Sequence, residues 1–147
     1  MERVKLDKLA AISSEVEELH PLLQLLLPKL PRITYVDYTH GQGEMGADFV
    51  LSREDDTFAE TEYIGVIAKI GKIAQDYTDI ERQIKECEMP RTVFGGKKKV
   101  YVTEVWVIVT GTITRNAQEK IEKEYNTRKI KFVNGARKAE TVRPVII

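Results

Sequence analysis

Two residues able to do chemistry stand at the ends of successive apolar runs. Asp48 heads "ADFVLS", and Lys69 lies near the tail of "YIGVIAKI". A carboxylate at a strand start can give one oxygen ligand to a hard cation such as magnesium, which usually takes only one or two protein carboxylates. A nearby ammonium can position water or offset charge developing on a phosphate. Strand alternation puts Tyr63, Gly65, Ile67 and Lys69 on one face, and Glu62, Ile64, Val66, Ala68 and Ile70 on the other. A second carboxylate two residues before the lysine would share its face, but Ile67 occupies that place. Glu62 points the opposite way. Glu44, four residues before Asp48 in a glycine-rich turn, is the first candidate for the missing ligand. Glu15, Glu18 and Glu81 on flanking helices, and the carbonyl of Ile70, are alternatives.

Other polar positions carry weaker signals. Gly41, Gly43 and Gly46 do not make a nucleotide-binding loop, because no helix opens after them and no lysine-serine or lysine-threonine pair follows. They suit a tight turn that brings backbone close to a metal or phosphate. His40 beside them can contact phosphate or assist a proton transfer, whereas His20 in the first helix says less. Gln83 falls on a helix, where it either reaches the site or stays exposed. "GGKKK", residues 95–99, is the densest basic run and reads as a hairpin tip. Its Lys97, Lys98 and Lys99 either follow a nucleic-acid backbone or stay solvated. Trp106, bracketed by valines, and Tyr101 read as core. Taken alone, Asp48 reads as a turn cap and Lys69 as a lysine snorkelling off a strand end.

A chain of 147 residues fits one domain with a real core, and 42% hydrophobic with 31% charged residues excludes disorder and a membrane bundle. The apolar stretch at 22–27 is interrupted by Gln24, closed by Pro28 and far too short to span a bilayer. The N-terminus lacks a secretory pattern. The single cysteine, Cys87, cannot form an internal disulfide, and no Cys/His cluster suggests zinc. It reads as a buried helix thiol in a reducing cytoplasm. Charge is polarised: residues 1–90 hold 10 Lys and Arg against 18 Asp and Glu (net −8), and residues 91–147 hold 13 against 5 (net +8). Such polarity marks either a basic docking surface or two halves that neutralise each other on folding.

The elements that must position these residues follow from periodicity. Leu6, Leu9, Ile12, Val16 and Leu19 have helical spacing, and Pro21 either kinks that helix or starts a second one. "RITYVDY", "ADFVLS" and "YIGVIAKI" read as strands, the last two joined by the polar loop "REDDTFAETE". "DYTDIERQIKECEM" is a helix burying Ile80, Ile84 and Cys87, capped by Asp76 or Thr78. "VYVTEVWVIVTG" reads as one long central strand. "TRNAQEKIEKEYNTR" is a helix capped by Thr114 or Asn116, and "KIKFVNG" is a last strand. The chain ends on "TVRPVII" with no cap or polar tail, as expected of one domain from a longer protein.

The order α-β-β-β-α-β-α-β resembles the core of the PD-(D/E)xK nuclease superfamily, in its restriction-endonuclease-like branch with Mrr-type modules. The likeness spans roughly residues 5–135, on "HGQGEMGADF", "IGVIAK", "DIERQIKEC" and "EVWVIVTGTITRNAQEKIE". It implies a mixed sheet flanked by helices, with Asp48 as the first motif aspartate, Lys69 as the motif lysine and Gln83 as the helix glutamine. It further implies Mg2+ or Mn2+ bound by Asp48 and Glu44, and DNA phosphodiester hydrolysis in restriction or defence against phage. A homodimer is compatible with it. The alternative is a module that keeps the fold without catalysis and binds nucleic acid or protein. Ile67 favours that alternative, while Asp48 and Lys69 in frame favour the nuclease.

Overall fold

The computed structural model describes residues 14–39, 46–55, 57–58, 60–74, 77–93, 98–125 and 129–134. Strand β3 (Thr61–Lys69) organises it. Its residues alternate between two cores as expected: Ile64, Val66 and Ala68 enter one, Tyr63 and Ile67 the other. β1 (Ile33–Tyr38), β2 (Phe49–Glu54) and β3 form an antiparallel meander. β6 (Glu104–Val109) and β7 (Lys129–Asn134) then add parallel to β3, giving the sheet order β1-β2-β3-β6-β7. All six residues of β6 are buried, as a strand covered on both faces requires.

Helices close both faces. A π-helical turn (Glu15–Leu19) leads into α1 (His20–Leu26) and a 3-10 turn (Leu27–Lys29), and their leucines pack on Phe49, Leu51 and Trp106. On the other face α2 (Thr78–Glu86) contributes Ile80 and Ile84, and α3 (Arg115–Glu124) contributes Ala117 and Ile121. Thr114 caps α3, its Oγ1 accepting the Ala117 N–H at 3.2 Å. Cys87 is buried beside α2, as expected.

Three expectations need correction, and one open alternative is resolved. Val16 is half exposed, because the wider π turn ends the helical pitch that would have turned it inward; Leu19 and His20 face the core instead. Pro21 falls in the first turn of α1, where its missing donor costs nothing, so it starts the helix. Thr78 does not cap α2: Tyr77 holds that position without a side-chain bond, and Asp76 lies outside the described residues. The long strand at 100–111 is two pieces. β4 (Arg91–Val93) and β5 (Lys98–Val100) pair as a separate two-stranded ribbon before the chain joins β3 as β6, which leaves Tyr101 exposed while Trp106 is core.

Candidate functional site

The sheet forks where β2 begins. The last β2–β3 pair is Phe49 with Val66, and the Asp48 N–H still donates to the Val66 carbonyl at 2.8 Å. Beyond it β3 runs on to Lys69 with β6 on one side only. Residues of even number on β3 turn their backbone groups toward β2, so Ala68, and Ile70 just past the strand, have amides at this edge with no strand to meet among the described residues. Side chains meet them instead. Asp48 Oδ2 accepts the Ala68 N–H at 2.9 Å, and Glu15 Oε2 accepts the Ile70 N–H at 3.4 Å. Two carboxylates therefore cap amides about 7 Å apart along one strand edge. A carboxylate buried as deeply as Asp48 needs such partners, since burying an unpaired charge is costly.

The turn that delivers Asp48 is fixed by α2. Gln83 Nε2 donates to the Gly46 carbonyl at 2.8 Å. Gly46 has φ +91°, and a Cβ there would stand 2.1 Å from the Gln83 carbonyl oxygen, so no side chain fits. Gln83 is buried, which corrects its reading as an exposed residue: it holds the turn from inside the fold. It lies three residues after Ile80 and four before Cys87, on the stripe that the helix buries, and that spacing was the available signal. His20 was passed over in the same way. It is buried, its Nδ1 is 2.8 Å from the Tyr38 hydroxyl, and its Nε2 is 3.8 Å from Asp48 Oδ2, an ion pair when the ring is protonated.

Lys69 ends β3 on the opposite face from Ala68. Its ammonium meets Asp79 Oδ2 at 2.5 Å in the first turn of α2, and Arg82 holds Asp79 Oδ1 at 2.7 Å. The Lys69 hydrogen bond, then that of Arg82, keeps the Asp79 carboxyl below the ordinary range despite partial burial. Asp48 thus looks toward α1 and Lys69 toward α2, so the two leave opposite faces of the sheet, which counts against the expectation that they form one site. Ile67 is fully buried in the core beneath α2. Glu62 pairs with Arg53 at the far end of β3, so it plays no part here. Lys98 and Lys99 lie exposed on β5, Lys98 5.6 Å from the Tyr63 ring centroid. Glu44, His40 and Lys97 lie outside the described residues.

Among the described residues no three His, Cys, Asp or Glu side chains gather into a metal-holding group. Two carboxylates are nonetheless the usual protein share for magnesium. Among the described residues no helix is long and apolar enough to cross a membrane.

Comparison with known proteins agrees with this architecture. No family model and no curated protein matches the chain. Among solved structures it is similar to the MspJI restriction endonuclease in complex with a 27-mer oligonucleotide, with a TM-score of 0.53 and 17% identity. The match covers 99% of this chain and 32% of that one, so the chain spans about a third of its neighbour's length. The fold is restriction-endonuclease-like: a five-stranded mixed sheet flanked by helices.

Proposed function

We propose that the chain is a nuclease-like domain that hydrolyses DNA phosphodiester bonds with magnesium or manganese. The observation that carries this reading is the sheet fork, where Asp48 and Glu15 present carboxylates on one strand edge, while Lys69 leaves the same strand end on the opposite face. Glu15 then takes the part that Ile67 cannot play, and Glu44 remains a further candidate ligand on the turn before Asp48. A divalent ion held there polarises the phosphate and lowers the pKa of the attacking water. Asp48 is kept in place by the Ala68 amide, and Gln83 acts through the Gly46 turn as a positioning residue. Lys69 can leave Asp79 for a phosphate at modest cost, because Arg82 still neutralises that carboxylate. Its ammonium would then offset charge on the transferring group. DNA as the partner is supported by the oligonucleotide in the neighbour's complex and by the basic ribbon, with His40, Lys97, Lys98 and Lys99 as proposed contacts.

The second reading, a module that binds without cleaving, is favoured by Ile67 in the core and by the Lys69–Asp79 pair. Incubating supercoiled plasmid with the protein at high concentration separates the two. Slow nicking that needs Mg2+ or Mn2+ and is lost in both Asp48→Asn and Lys69→Ala is expected. DNA binding without cleavage by the wild type would favour the second reading, and cleavage by Asp48→Asn would mean that the site lies elsewhere.

A further inference from the structure

At the far end of β2 from Asp48, on the α1 face of the sheet, lies a pocket of about 230 Å3. Its walls combine the apolar Leu30, Ile33 and Trp106 with the cationic Arg32, Arg53 and Lys131. Arg53 is a fixed wall, since its guanidinium donates to Glu104 Oε1 at 2.9 Å and to Glu62 Oε2 at 3.4 Å. Lys131 stands on exposed β7 surface with its ammonium 5.8 Å from the Trp106 ring centroid. Lys129 also approaches Glu104, at 3.7 Å. Arg53 and Lys129 thus meet the carboxylates of Glu62 and Glu104, and Arg32 and Lys131 add two further cations to the pocket wall. The backbone adds an independent sign. Arg32 has φ 66°, a conformation that glycine adopts freely and arginine resists, and the Glu54 N–H holds its carbonyl at 3.2 Å. Strained residues of this kind collect at binding sites.

We infer that this pocket binds the phosphate of a nucleotide, with Arg32 and Lys131 meeting its oxygens and the Ile33–Trp106 wall packing against sugar or base. The volume lies below the roughly 300–1,000 Å3 of drug-sized sites, which limits the occupant to about one nucleotide. Binding here does not depend on the Asp48 site and is read without turnover.

Trp106 is the chain's one tryptophan, so its emission reports the pocket directly. The full chain is titrated at low salt, without divalent metal, with deoxyadenosine monophosphate, with deoxyadenosine, and with a terminally phosphorylated oligonucleotide. Saturable change is expected with a phosphorylated probe, and binding of the nucleoside at least about tenfold weaker, the worth of one hydrogen bond to a charged group. A response to the mononucleotide assigns a free nucleotide, and a response to the oligonucleotide alone assigns a strand end; either supports the pocket. Lys131→Ala, at an exposed position, and Arg32→Gly, which keeps the backbone of the turn, should each weaken the phosphorylated probe by a similar factor while remaining folded. Equal binding of nucleoside and nucleotide, or wild-type affinity in both variants, would overturn the inference.

Discussion

Ile67 answers why the lysine strand lacks its acid. The side chain is fully buried against the residues that hold α2 and α3 to the sheet, so a carboxylate there would enter a core with no partner. Ile67→Glu should lower stability by about 3 kcal/mol or more in urea titration at neutral pH, with part of the loss recovered as acid neutralises the new carboxyl. Undiminished stability would show that the position opens to solvent or metal. Glu104 is a buried acid of the opposite kind, fully partnered. Burial pushes its carboxyl up, but hydrogen bonds from Arg53 and Trp106, with the charges of Arg53 and Lys129, hold it below its ordinary value of 4.5. A carboxyl depressed in the folded state stabilises fully above that ordinary value, and the contribution fades as pH falls through the lower folded value. Glu104→Gln should therefore cost about 2 kcal/mol at neutral pH, and its gap from the wild type should narrow on acidification below about pH 4.5. A gap constant with pH would contradict the pairing.

The ribbon of β4 and β5 carries part of the basic run, with Lys98 and Lys99 exposed on its second strand. If it follows a nucleic-acid backbone, affinity for duplex DNA should fall steeply with salt. Lys98→Ala with Lys99→Ala should then flatten the slope of log affinity against log salt by nearly two, through lost counterion release. An unchanged slope returns the ribbon to a solvated surface. The existence of the ribbon was only half readable from the chain. Residues 100–111 look like one strand because their valines and aromatics favour β structure throughout, and nothing local marks where the partner changes from β4 to β3. The meander was readable because period-two alternation in residues 63–70 forces one face onto each core. Asp48 and Lys69 could be singled out by their place at strand ends. Glu15 could be offered only as one of several helix carboxylates, since its bond to the Ile70 amide depends on a π turn and a sheet fork that bring residues 15 and 70 together.

Taken together, the chain is an open mixed sheet whose parallel strands β3, β6 and β7 end at the same edge, with the amino end of β2 beside them. Ligands of open α/β sheets gather at such carboxyl ends. Asp48, Lys69 and Glu15 lie there, while Arg53, Trp106 and Glu104 form a separate polar group toward the other end. A nuclease site at that edge requires that it hold a metal. Calorimetric titration of manganese into the wild type, Asp48→Asn and Glu15→Gln tests it most directly. One site is predicted in the wild type, lost in Asp48→Asn and weakened about tenfold or more in Glu15→Gln, with all three proteins folded. No manganese binding by the wild type, or equal affinity in Asp48→Asn, would contradict it.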